Sequence, residues 1–358
     1  MIRLLCLLLL LGAAPVLAQE DQPAGLEARA RFGAATAEPM QLRSTTDIAV
    51  LGPAIEAFVA RHPGIAVDYE QWSSNGLYEV TRRECAAGQA GADAAFSSAV
   101  DQLVELVNLG CAQPWRSAET AALPPTRRWR DEIWGVTREP AVILYNSRLV
   151  PPEDVPADRF ALLDLMRRED ERYAGRIATY DIEASGLGYL FAFTDSLEAS
   201  TFGALLEGFE RADAVATCCS AEIIDGVARG DYLIAYNVLG SYVEDRHLPD
   251  VATVWPADYT LFLSRGYMIP QGAAHPEAAA ALLDFLLSAE GQEILARSGL
   301  VARGGGETAQ HDSALRPIRI GPTLLVARDA QKVAGFIRRW RETFVRAPGR
   351  APGGLPPG

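Results

Sequence analysis

Histidine is scarce in this 358-residue sequence, and the missing patterns exclude several kinds of site. The chain contains neither a Gly-x-Ser-x-Gly elbow nor a His-Glu-x-x-His helix, so it lacks two common hydrolase signatures. The spacing of cysteine and histidine fits no zinc pattern. We therefore expect no enzyme activity, no catalytic residue, no metal site and no cofactor. The four histidines are His62, His247, His275 and His311.

An excess of positive charge is also missing. The 46 aspartates and glutamates outnumber the 33 lysines and arginines, which gives a formal net charge of −13 at pH 7. Because nucleic acid is a polyanion, this balance argues against it as a partner. The sequence predicts an acidic protein with no nucleic-acid partner.

Long apolar runs are absent beyond the N-terminus. Residues 1–18 have the parts of a secretory signal peptide, with a basic Arg3, a short apolar run and small residues before Gln19. Cys6 lies inside the apolar run and follows no small-residue cleavage motif, so a lipoprotein anchor is not expected. No later stretch approaches the ~20 apolar residues that a membrane helix needs. We expect a soluble, exported protein with no direct membrane insertion after signal cleavage.

Four cysteines remain after signal removal, in a compartment that permits disulfides. Cys85 and Cys111 bracket a predicted strand and helix, and their bridge is the favoured pairing. The adjacent Cys218 and Cys219 have three interpretations: a strained disulfide ring, a reactive dithiol, or two buried thiols. The third is the commonest, because free cysteine packs as a small hydrophobe. The sequence alone does not fix the disulfide pattern.

Strand-like and helical segments alternate along the chain, which predicts βαβ units, a largely parallel sheet and an α/β fold. Roughly 340 mature residues exceed the usual size of one domain, so two lobes are expected. Residues 19–40 show no convincing period and suggest a flexible lead-in, and the Pro/Gly-dense residues 346–358 suggest a disordered tail. The predicted strands are Met40–Ser44, Ile65–Tyr69, Ala92–Phe96, Pro140–Asn146, Gly175–Thr179 and Tyr232–Asn237, and the predicted helices are Ile48–Arg61, Leu77–Ala87, Asp101–Leu109, Gly186–Phe193, Thr201–Phe209 and Ile223–Ala228.

The segment His275–Leu295, HPEAAAALLDFLLSAEGQEIL, predicts two short helices. Pro276 suits a first helical position, and Glu277 favours the positive end of the helix. Four apolar side chains supply a buried face before a break near Ser288, after which Glu290 opens a second helix. An ordinary helical hairpin would give the same pattern. The apolar residues are Leu282, Leu283, Phe285 and Leu286.

This segment resembles the helical signature of periplasmic ABC-transporter solute-binding proteins. Three other stretches carry the same resemblance: PAVILYN at 140–146, YNVLGSY at 236–242 and IGPTLLVARDAQKVAGFIRRW at 320–340. The pattern is similar to the iron- and phosphoglycerate-type members with the type II periplasmic binding protein fold, and it covers residues 41–344.

The resemblance implies two lobes and two crossing hinge strands. Lobe one is expected to contain residues 41–141 and 254–345, and lobe two residues 142–253. The crossings are expected near 142–146 and 251–256. A ligand would then bind between the lobes, and the lobes would close on it by a hinge motion.

Polar loops that follow the first three strands of lobe one are candidate ligand contacts, because ligands in open α/β sheets bind at the carboxyl ends of strands. A helix N-terminus at each loop could hold an anionic oxygen. Simple helix caps or serine turns would explain part of each loop. The candidates are Arg43, Ser44, Thr45 and Thr46 in the first loop, Ser74 and Asn75 in the second, and Ser98 in the third.

The second lobe offers candidates of the same kind. Gly186 and Gly188 let the backbone approach a ligand, but Phe191 replaces the third glycine of a dinucleotide fingerprint. One side chain of a Tyr-Asn pair is expected to face the cleft, although a core aromatic is an equal alternative for the tyrosine. Arg138 could clamp a carboxylate or phosphate, as could Arg43, although a surface ion pair is the simpler explanation. The other candidates are Ser185, Thr217, Ser220, Tyr236 and Asn237.

These features predict a periplasmic solute-binding protein of an ABC transport system, closing on a small polar and anionic solute. Its partners would be the small molecule and either an ABC permease or the periplasmic domain of a sensor kinase. A sensing subunit that regulates a two-component histidine kinase is the first alternative. A ferric-iron binding protein is the second, and it is disfavoured because related iron binders use adjacent tyrosines and this chain has no Tyr-Tyr pair. Separate tyrosines could still converge: Tyr180, Tyr189, Tyr232, Tyr236 and Tyr242.

Overall fold

The computed structural model describes residues 23–168, 171–246, 248–302 and 314–344. The predicted signal peptide and the predicted tail lie outside these residues, and so do two of the four histidines. Within the described ranges the chain forms two α/β lobes, each built around one sheet. None of the helices in these ranges has the length and apolarity that a bilayer crossing requires.

The sheet of lobe one has a parallel centre and antiparallel edges. Its strands are β1 (Leu26–Phe32), β2 (Glu38–Ser44), β3 (Ile65–Trp72), β4 (Ala94–Ser97), β5 (Arg128–Trp129), β6 (Ile133–Gly135) and β13 (Gly266–Met268). They lie in the order β1-β3-β2-β4-β13-β6-β5. β2 runs parallel to β3 and β4, as expected from the alternation of strands and helices. The helices of this lobe are α1 (Ile48–Arg61), α2 (Ser74–Ala86), α3 (Val100–Asn108), α4 (Ala118–Ala122), α10 (Pro276–Leu287) and α11 (Ala289–Arg297).

β1 forms within the region expected to be a flexible lead-in. Its residues alternate between more and less exposed positions, as a half-buried edge strand requires. Antiparallel pairing with β3 places Arg29 opposite Glu70 and Arg31 opposite Asp68, and both pairs form salt bridges at 3.1 and 3.0 Å. The alternating Glu-Ala-Arg-Ala-Arg pattern is too polar to predict a strand by itself, because the charges of its arginines are balanced by acidic residues of β3.

The sheet of lobe two is mixed. Its strands are β7 (Glu139–Asn146), β8 (Ile177–Tyr180), β9 (Val215–Thr217), β10 (Ile234–Leu239), β11 (Val251–Val254), β12 (Thr260–Leu263) and β14 (Leu315–Pro317). They lie in the order β14-β12-β7-β10-β8-β9, and β11 also pairs with β7. The helices are α5 (Arg159–Arg167), α6 (Gly186–Glu198), α7 (Phe202–Arg211), α8 (Ser220–Arg229), α9 (Ser241–Arg246) and α12 (Ala330–Phe344).

The predicted helices at 275–295 are confirmed. α10 begins at Pro276, and the break at Ser288 lets the side chain of Ser288 accept a hydrogen bond from the Gly291 amide at 3.2 Å. The apolar face of α10 is buried in the core of lobe one, including Leu282 and Leu283. The segment is therefore part of the scaffold and does not line the cleft between the lobes.

The chain passes between the lobes at two adjacent places. The first crossing, Val136–Arg138, joins β6 to β7, and the second, Ser264–Arg265, joins β12 to β13. The Val136 amide donates to the Arg265 carbonyl at 2.9 Å, and the Arg265 amide donates to Thr137 Oγ1 at 2.8 Å. Both crossings lie closer to lobe one than the sequence suggested, because the whole of β7 and β12 pairs within the second sheet.

A third connection runs along the side of the molecule. After β14 in lobe two, Ile320 packs into a core cluster of lobe one, and the helical turns at 322–328 contact α3 of that lobe. α12 then returns to lobe two, where Phe336 and Trp340 pack into its core. Residues 330–344 thus belong with lobe two by packing, whereas the sequence assigned them to lobe one, because their aromatic face fits against α7 and Phe209.

Candidate functional site

A cavity of about 470 Å³ lies between the lobes, where the carboxyl ends of β2, β3 and β8 meet helix N-termini. Side chains from both lobes line it. Five of the residues predicted from sequence are among them: Thr45, Ser74, Ser98, Ser185 and Ser220. The rule that ligand contacts follow the ends of strands therefore selected hydroxyls from both lobes that line one cavity.

The lobe-one wall is a hydroxyl pair on two neighbouring loops. Thr45 follows β2 and Ser98 follows β4, and these strands are adjacent and parallel. Thr45 Oγ1 and Ser98 Oγ are 3.2 Å apart, and the Ser98 amide donates to Thr45 Oγ1 at 3.0 Å. The strand register fixes both hydroxyls at the same edge of the sheet.

The lobe-two wall consists of two helix starts. Ser185 caps α6, with its hydroxyl accepting from the Gly188 amide at 3.0 Å. Ser220 is the first residue of α8, and its hydroxyl lies 2.6 Å from the phenol of Tyr180. No side-chain hydrogen bond caps α8 at Cys219, so the amides of its first turn have no capping acceptor there, and the first residues of the helix line the cavity.

A buried ion pair forms the floor of the cleft at the second crossing. Arg265 Nε donates to Glu139 Oε1 at 2.8 Å and its Nη2 donates to Glu139 Oε2 at 3.1 Å, and neither side chain is exposed. Thr46 Oγ1 accepts from Arg265 Nη1 at 3.0 Å, and Ser241 donates to Glu139 at 2.6 Å. Because Glu139 neutralises Arg265, this guanidinium contributes little net charge to the cavity.

Tyr242 stands beside this pair on the cleft wall. The Arg265 guanidinium lies 5.5 Å from the centre of its ring. Burial raises the pKa of Tyr242 to about 12, although the Arg265 charge opposes the rise. The phenol therefore remains protonated at neutral pH and can donate a hydrogen bond.

Carboxylates outnumber cations in the described lining of the cavity. Two carboxylates come from each lobe, whereas the remaining cation, Arg229, pairs with Asp231 at 2.7 Å. A bound anion would therefore be held by hydroxyls and amides, with no free cation in the described lining to neutralise it. The carboxylates are Glu27, Asp47, Glu222 and Asp225.

Three candidates of the first loop have roles beneath the cavity surface. Arg43 pairs with Glu70 at 3.1 Å and Glu84 at 2.7 Å, which is the ion-pair alternative considered from sequence. The hydroxyl of Ser44 accepts from the Thr46 amide at 3.0 Å, forming a local turn. Thr46 holds Arg265 in the hinge. The structure places these three side chains outside the cavity lining.

Ser74 and Asn75 join the lobes to each other. Asn75 Nδ2 donates to the carbonyls of Glu183 and Ala184 at 2.8 and 3.2 Å, and the Gly186 amide donates to Ser74 Oγ at 2.8 Å. Gln102 supports this contact by donating to Asn75 Oδ1 at 2.8 Å. Asn75 is therefore placed as an interlobe latch and does not line the cavity.

Tyr236 and Asn237 are directed away from the cleft. Both donate to Asp195 Oδ2, at 2.5 and 2.9 Å, within a buried network that also includes Arg159. Asn237 has a left-handed φ of 63°, which turns its side chain into this network. The network organises the interior of lobe two, and neither residue lines the cavity.

Arg138 and Thr217 also lie outside the cavity lining. Arg138 Nη2 donates to the Ala302 carbonyl at 2.7 Å, which ties the first crossing to the chain after α11. Thr217 ends β9, where its carbonyl accepts from the Asp181 amide at 2.7 Å. Both residues hold neighbouring segments of the chain together at the edge of the site.

Sequence reasoning missed Arg265, although a signal for it was present. Glu139 and Arg265 each adjoin an otherwise apolar strand, in the stretches EPAVILYN and LFLSRGYM. A charge placed in a strand of this kind is usually buried with a partner. The other lining residues were not predicted as solute contacts, because their proximity depends on contacts across the cleft. Tyr180 and Tyr242 were considered only as iron ligands, and Cys218 and Cys219 only for their thiol chemistry. The others are Glu27, Asp47, Gln71, Trp72, Ser73, Ala184, Leu187, Ala221, Glu222, Asp225 and Arg229.

Comparison with known families identifies the fold. The sequence profile of the family described as bacterial extracellular solute-binding protein matches residues 44–301, more than half of the chain. The chain belongs to this family. A comparison with curated proteins finds no significant match.

Solved structures of solute-binding proteins share the architecture. The substrate-binding protein of an ABC transporter from Agrobacterium tumefaciens is 35% identical over 90% of this chain and 99% of its own, with a TM-score of 0.84. AfuA from Actinobacillus pleuropneumoniae, with fructose-6-phosphate bound, is 16% identical over 86% and 99%, with a TM-score of 0.68. Iron-bound HitA from Pseudomonas aeruginosa is 18% identical over 72% and 83%, with a TM-score of 0.58. The type II periplasmic binding protein fold expected from the sequence is confirmed.

Proposed function

We propose that this solute-binding protein is the periplasmic subunit of an ABC importer and binds a small polar solute that carries one anionic group and several hydroxyls. The observation that carries this proposal is the convergence of Thr45 and Ser98 from lobe one with Ser220 from lobe two on a single cavity. Closure of the lobes would bring these donors onto the solute from both sides, and binding would involve no chemical reaction.

The anionic group is assigned to the hydroxyl-rich part of the cavity. Ser220 and the N-terminus of α8 line the same cavity as the pair formed by Thr45 and Ser98. Helix N-termini and hydroxyls bind phosphate or carboxylate oxygens through directed hydrogen bonds and need no positively charged side chain. Tyr242 adds a neutral donor near the floor. This arrangement suits a solute with an anionic group at one end better than a small ion that is charged on all sides, because four carboxylates line the same cavity.

The hydroxyls of the solute are assigned to the four carboxylates that line the cavity, two from each lobe. Ionised carboxylates only accept hydrogen bonds, so Glu27, Asp47, Glu222 and Asp225 would pair with hydroxyl donors. A simple inorganic anion offers few such donors. A hydroxylated monoester such as a sugar phosphate offers an anionic group to the hydroxyls and amides and hydroxyl donors to the carboxylates, and AfuA, a distant relative by fold, has fructose-6-phosphate bound.

Ferric iron fits the same cavity less well. Tyr180 and Tyr242 both line it, but burial raises the pKa of each phenol, which disfavours the phenolate that would bind iron. Their hydroxyls are also used by Ser220 and Arg265. We prefer a transport role to a sensing role because the similar structure from Agrobacterium tumefaciens belongs to an ABC transporter.

The solute class is tested by thermal unfolding and calorimetric titration of the mature protein. Fructose 6-phosphate should raise the melting temperature more than fructose or inorganic phosphate, because ligand binding stabilises the folded state by mass action. The variants Ser98→Ala and Ser220→Ala should each weaken binding by about tenfold, since each removes a hydrogen bond to a charged group. Thr343→Ala on the exposed face of α12 serves as the matched control. A response to ferric citrate alone would overturn the proposed solute class.

A further inference from the structure

Cys218 and Cys219 form a disulfide between neighbouring residues on the cavity wall. Of the three interpretations open from sequence, the structure has the ring, and the two separate buried thiols are not present. The bridge predicted between Cys85 and Cys111 is also present, with a Cα to Cα distance of 5.4 Å, so each disulfide accounts for two of the four cysteines. Unlike Cys111, which is buried, Cys219 is exposed to the cleft.

Glu222 is placed beside the two sulfur atoms by the start of α8. Cys219 is the residue that precedes the helix, and Glu222 is the third residue of its first turn. Side chains at these two positions face each other, as they do in a capping box. The two sulfurs and a Glu222 carboxylate oxygen all lie within 4.8 Å of one another.

We infer that the reduced form of this pair, together with Glu222, makes a binding site for a soft divalent cation such as Zn²⁺ or Cd²⁺. Two thiolates and a carboxylate are three of the four ligands that zinc takes in tetrahedral sites, and water would supply the fourth. Thiolate ligands select soft metals over Mg²⁺ and Ca²⁺. The N-terminus of α8 favours the thiolate form of Cys219.

The Cys218–Cys219 disulfide must be reduced before its sulfurs can bind a metal ion. A dithiol reductant, such as a periplasmic thiol–disulfide oxidoreductase, transfers two electrons and two protons to the Cys218–Cys219 bond and becomes a disulfide itself. The product is a pair of thiols. Binding of one divalent cation then releases both thiol protons, since the metal binds the thiolates. In the oxidised protein the sulfurs are joined to each other and the site is closed to metal.

The site is accessible because its residues line the cavity and are at least partly exposed. Cys218 is partly exposed, and Cys219 and Glu222 are exposed. A cation bound there would touch the first turn of α8. This site does not depend on the identity of the transported solute, so its test is independent of the proposed function.

The test is a cadmium titration of the reduced and oxidised mature protein, followed by the thiolate-to-cadmium absorption band. Reduced protein should bind one Cd²⁺ with release of two protons, and oxidised protein should show no such band. A variant with Cys85→Ala and Cys111→Ala should keep the band, whereas Cys218→Ser with Cys219→Ser should lose it. Glu222→Gln should weaken binding at least about tenfold. Glu207→Gln, at an exposed position of α7 outside the cavity lining, is its matched control.

Two outcomes would overturn the inference. The first is a full band in the Cys218→Ser and Cys219→Ser protein, which would place the metal on the other cysteine pair. The second is reduced wild-type protein that gives no band or has the same affinity as Glu222→Gln. If the double serine variant does not fold, the comparison of wild type with Glu222→Gln in the reduced state decides the question by itself.

Discussion

Asp101 is a fully buried carboxylate in the first turn of α3, and its nearest cation is Arg328, with Nη1 3.7 Å from Oδ2. Burial raises the pKa of Asp101 to about 6, and the charge of Arg328 limits the rise. The folded protein therefore holds a proton at Asp101 between about pH 4 and pH 6 that the unfolded chain has lost. The contribution of Asp101 to stability must fall as pH rises through this window and stay constant above it.

Asp101→Asn removes this titration and should flatten the pH dependence. We expect the variant to gain stability over wild type between pH 4 and pH 7, by at most about 3 kcal/mol for a shift of about two pKa units. Arg328 keeps its bond to Glu105 at 2.6 Å, so the substitution leaves no unpaired cation. Urea unfolding at pH 4.5, 5.5 and 7 measures the difference. Parallel curves for the two proteins would show that Asp101 does not titrate in this range.

Single residues of the cleft were partly predictable from sequence. Thr45, Ser98 and Ser220 were found because each follows a strand and precedes a helix, and that rule depends only on local order. Arg43 satisfied the same rule, but its partners Glu70 and Glu84 come from β3 and α2, so its role depends on contacts that no local pattern records. Tyr236 was undecided for the same reason.

At the scale of elements, the junction of α10 and α11 depends on a glycine. A Cβ added at Gly291 would lie 2.0 Å from the Phe285 carbonyl oxygen and 2.9 Å from Leu286 Cα, both backbone atoms. Neither atom can rotate away, so α11 would have to move from α10. Gly335 in α12 is different, because the nearest atom to its Cβ would be the flexible end of Arg338 at 3.9 Å.

These two glycines form a matched pair of substitutions. Gly291→Ala should destabilise the protein by about 1–3 kcal/mol through steric strain. Gly335→Ala should instead stabilise it by up to about 1 kcal/mol, because alanine has the higher helix propensity. Thermal and urea denaturation of both variants measures the effects. Equal effects of the two changes would contradict the steric account.

The bounds of the helices were predicted more accurately than the elements they pack against. α1 was predicted with the bounds it has, and the two helices at 275–295 were predicted with their break, because the apolar period and caps are local. β1 was not predicted, since an edge strand with alternating charge becomes recognisable only beside β3. The lobe to which α12 belongs was also not predictable. The aromatic face of a helix shows that it packs against another surface, but not which lobe provides that surface.

At the scale of the whole molecule, the interlobe latch at Asn75 affects the balance between open and closed forms. Asn75→Ala removes two hydrogen bonds across the lobes without removing a residue that lines the cavity. Each bond is worth about 0.5–1 kcal/mol, so the loss of both should lower the population of the closed form relative to the open form by about fivefold to thirtyfold. Solute affinity should fall with it, because closure and binding are coupled.

Small-angle scattering of the solute-free protein measures this change as a larger radius of gyration. Gln89→Ala, at an exposed position after α2, is the control and should leave the scattering unchanged. If the Asn75→Ala protein had the wild-type radius and the wild-type solute affinity, the latch would have no role in closure.

The return of α12 to lobe two means that the last helix of the described chain is needed for the folding of that lobe. Phe336, Trp340 and Phe344 complete the core of lobe two, yet they lie at the end of the described chain. Lobe one likewise needs β13 and α10, which follow almost all of lobe two in the sequence. Neither lobe can finish folding from the part of the chain that is synthesised first. The residues that complete the two lobes, and so the cleft between them, are therefore available only when nearly all of the described chain has been synthesised.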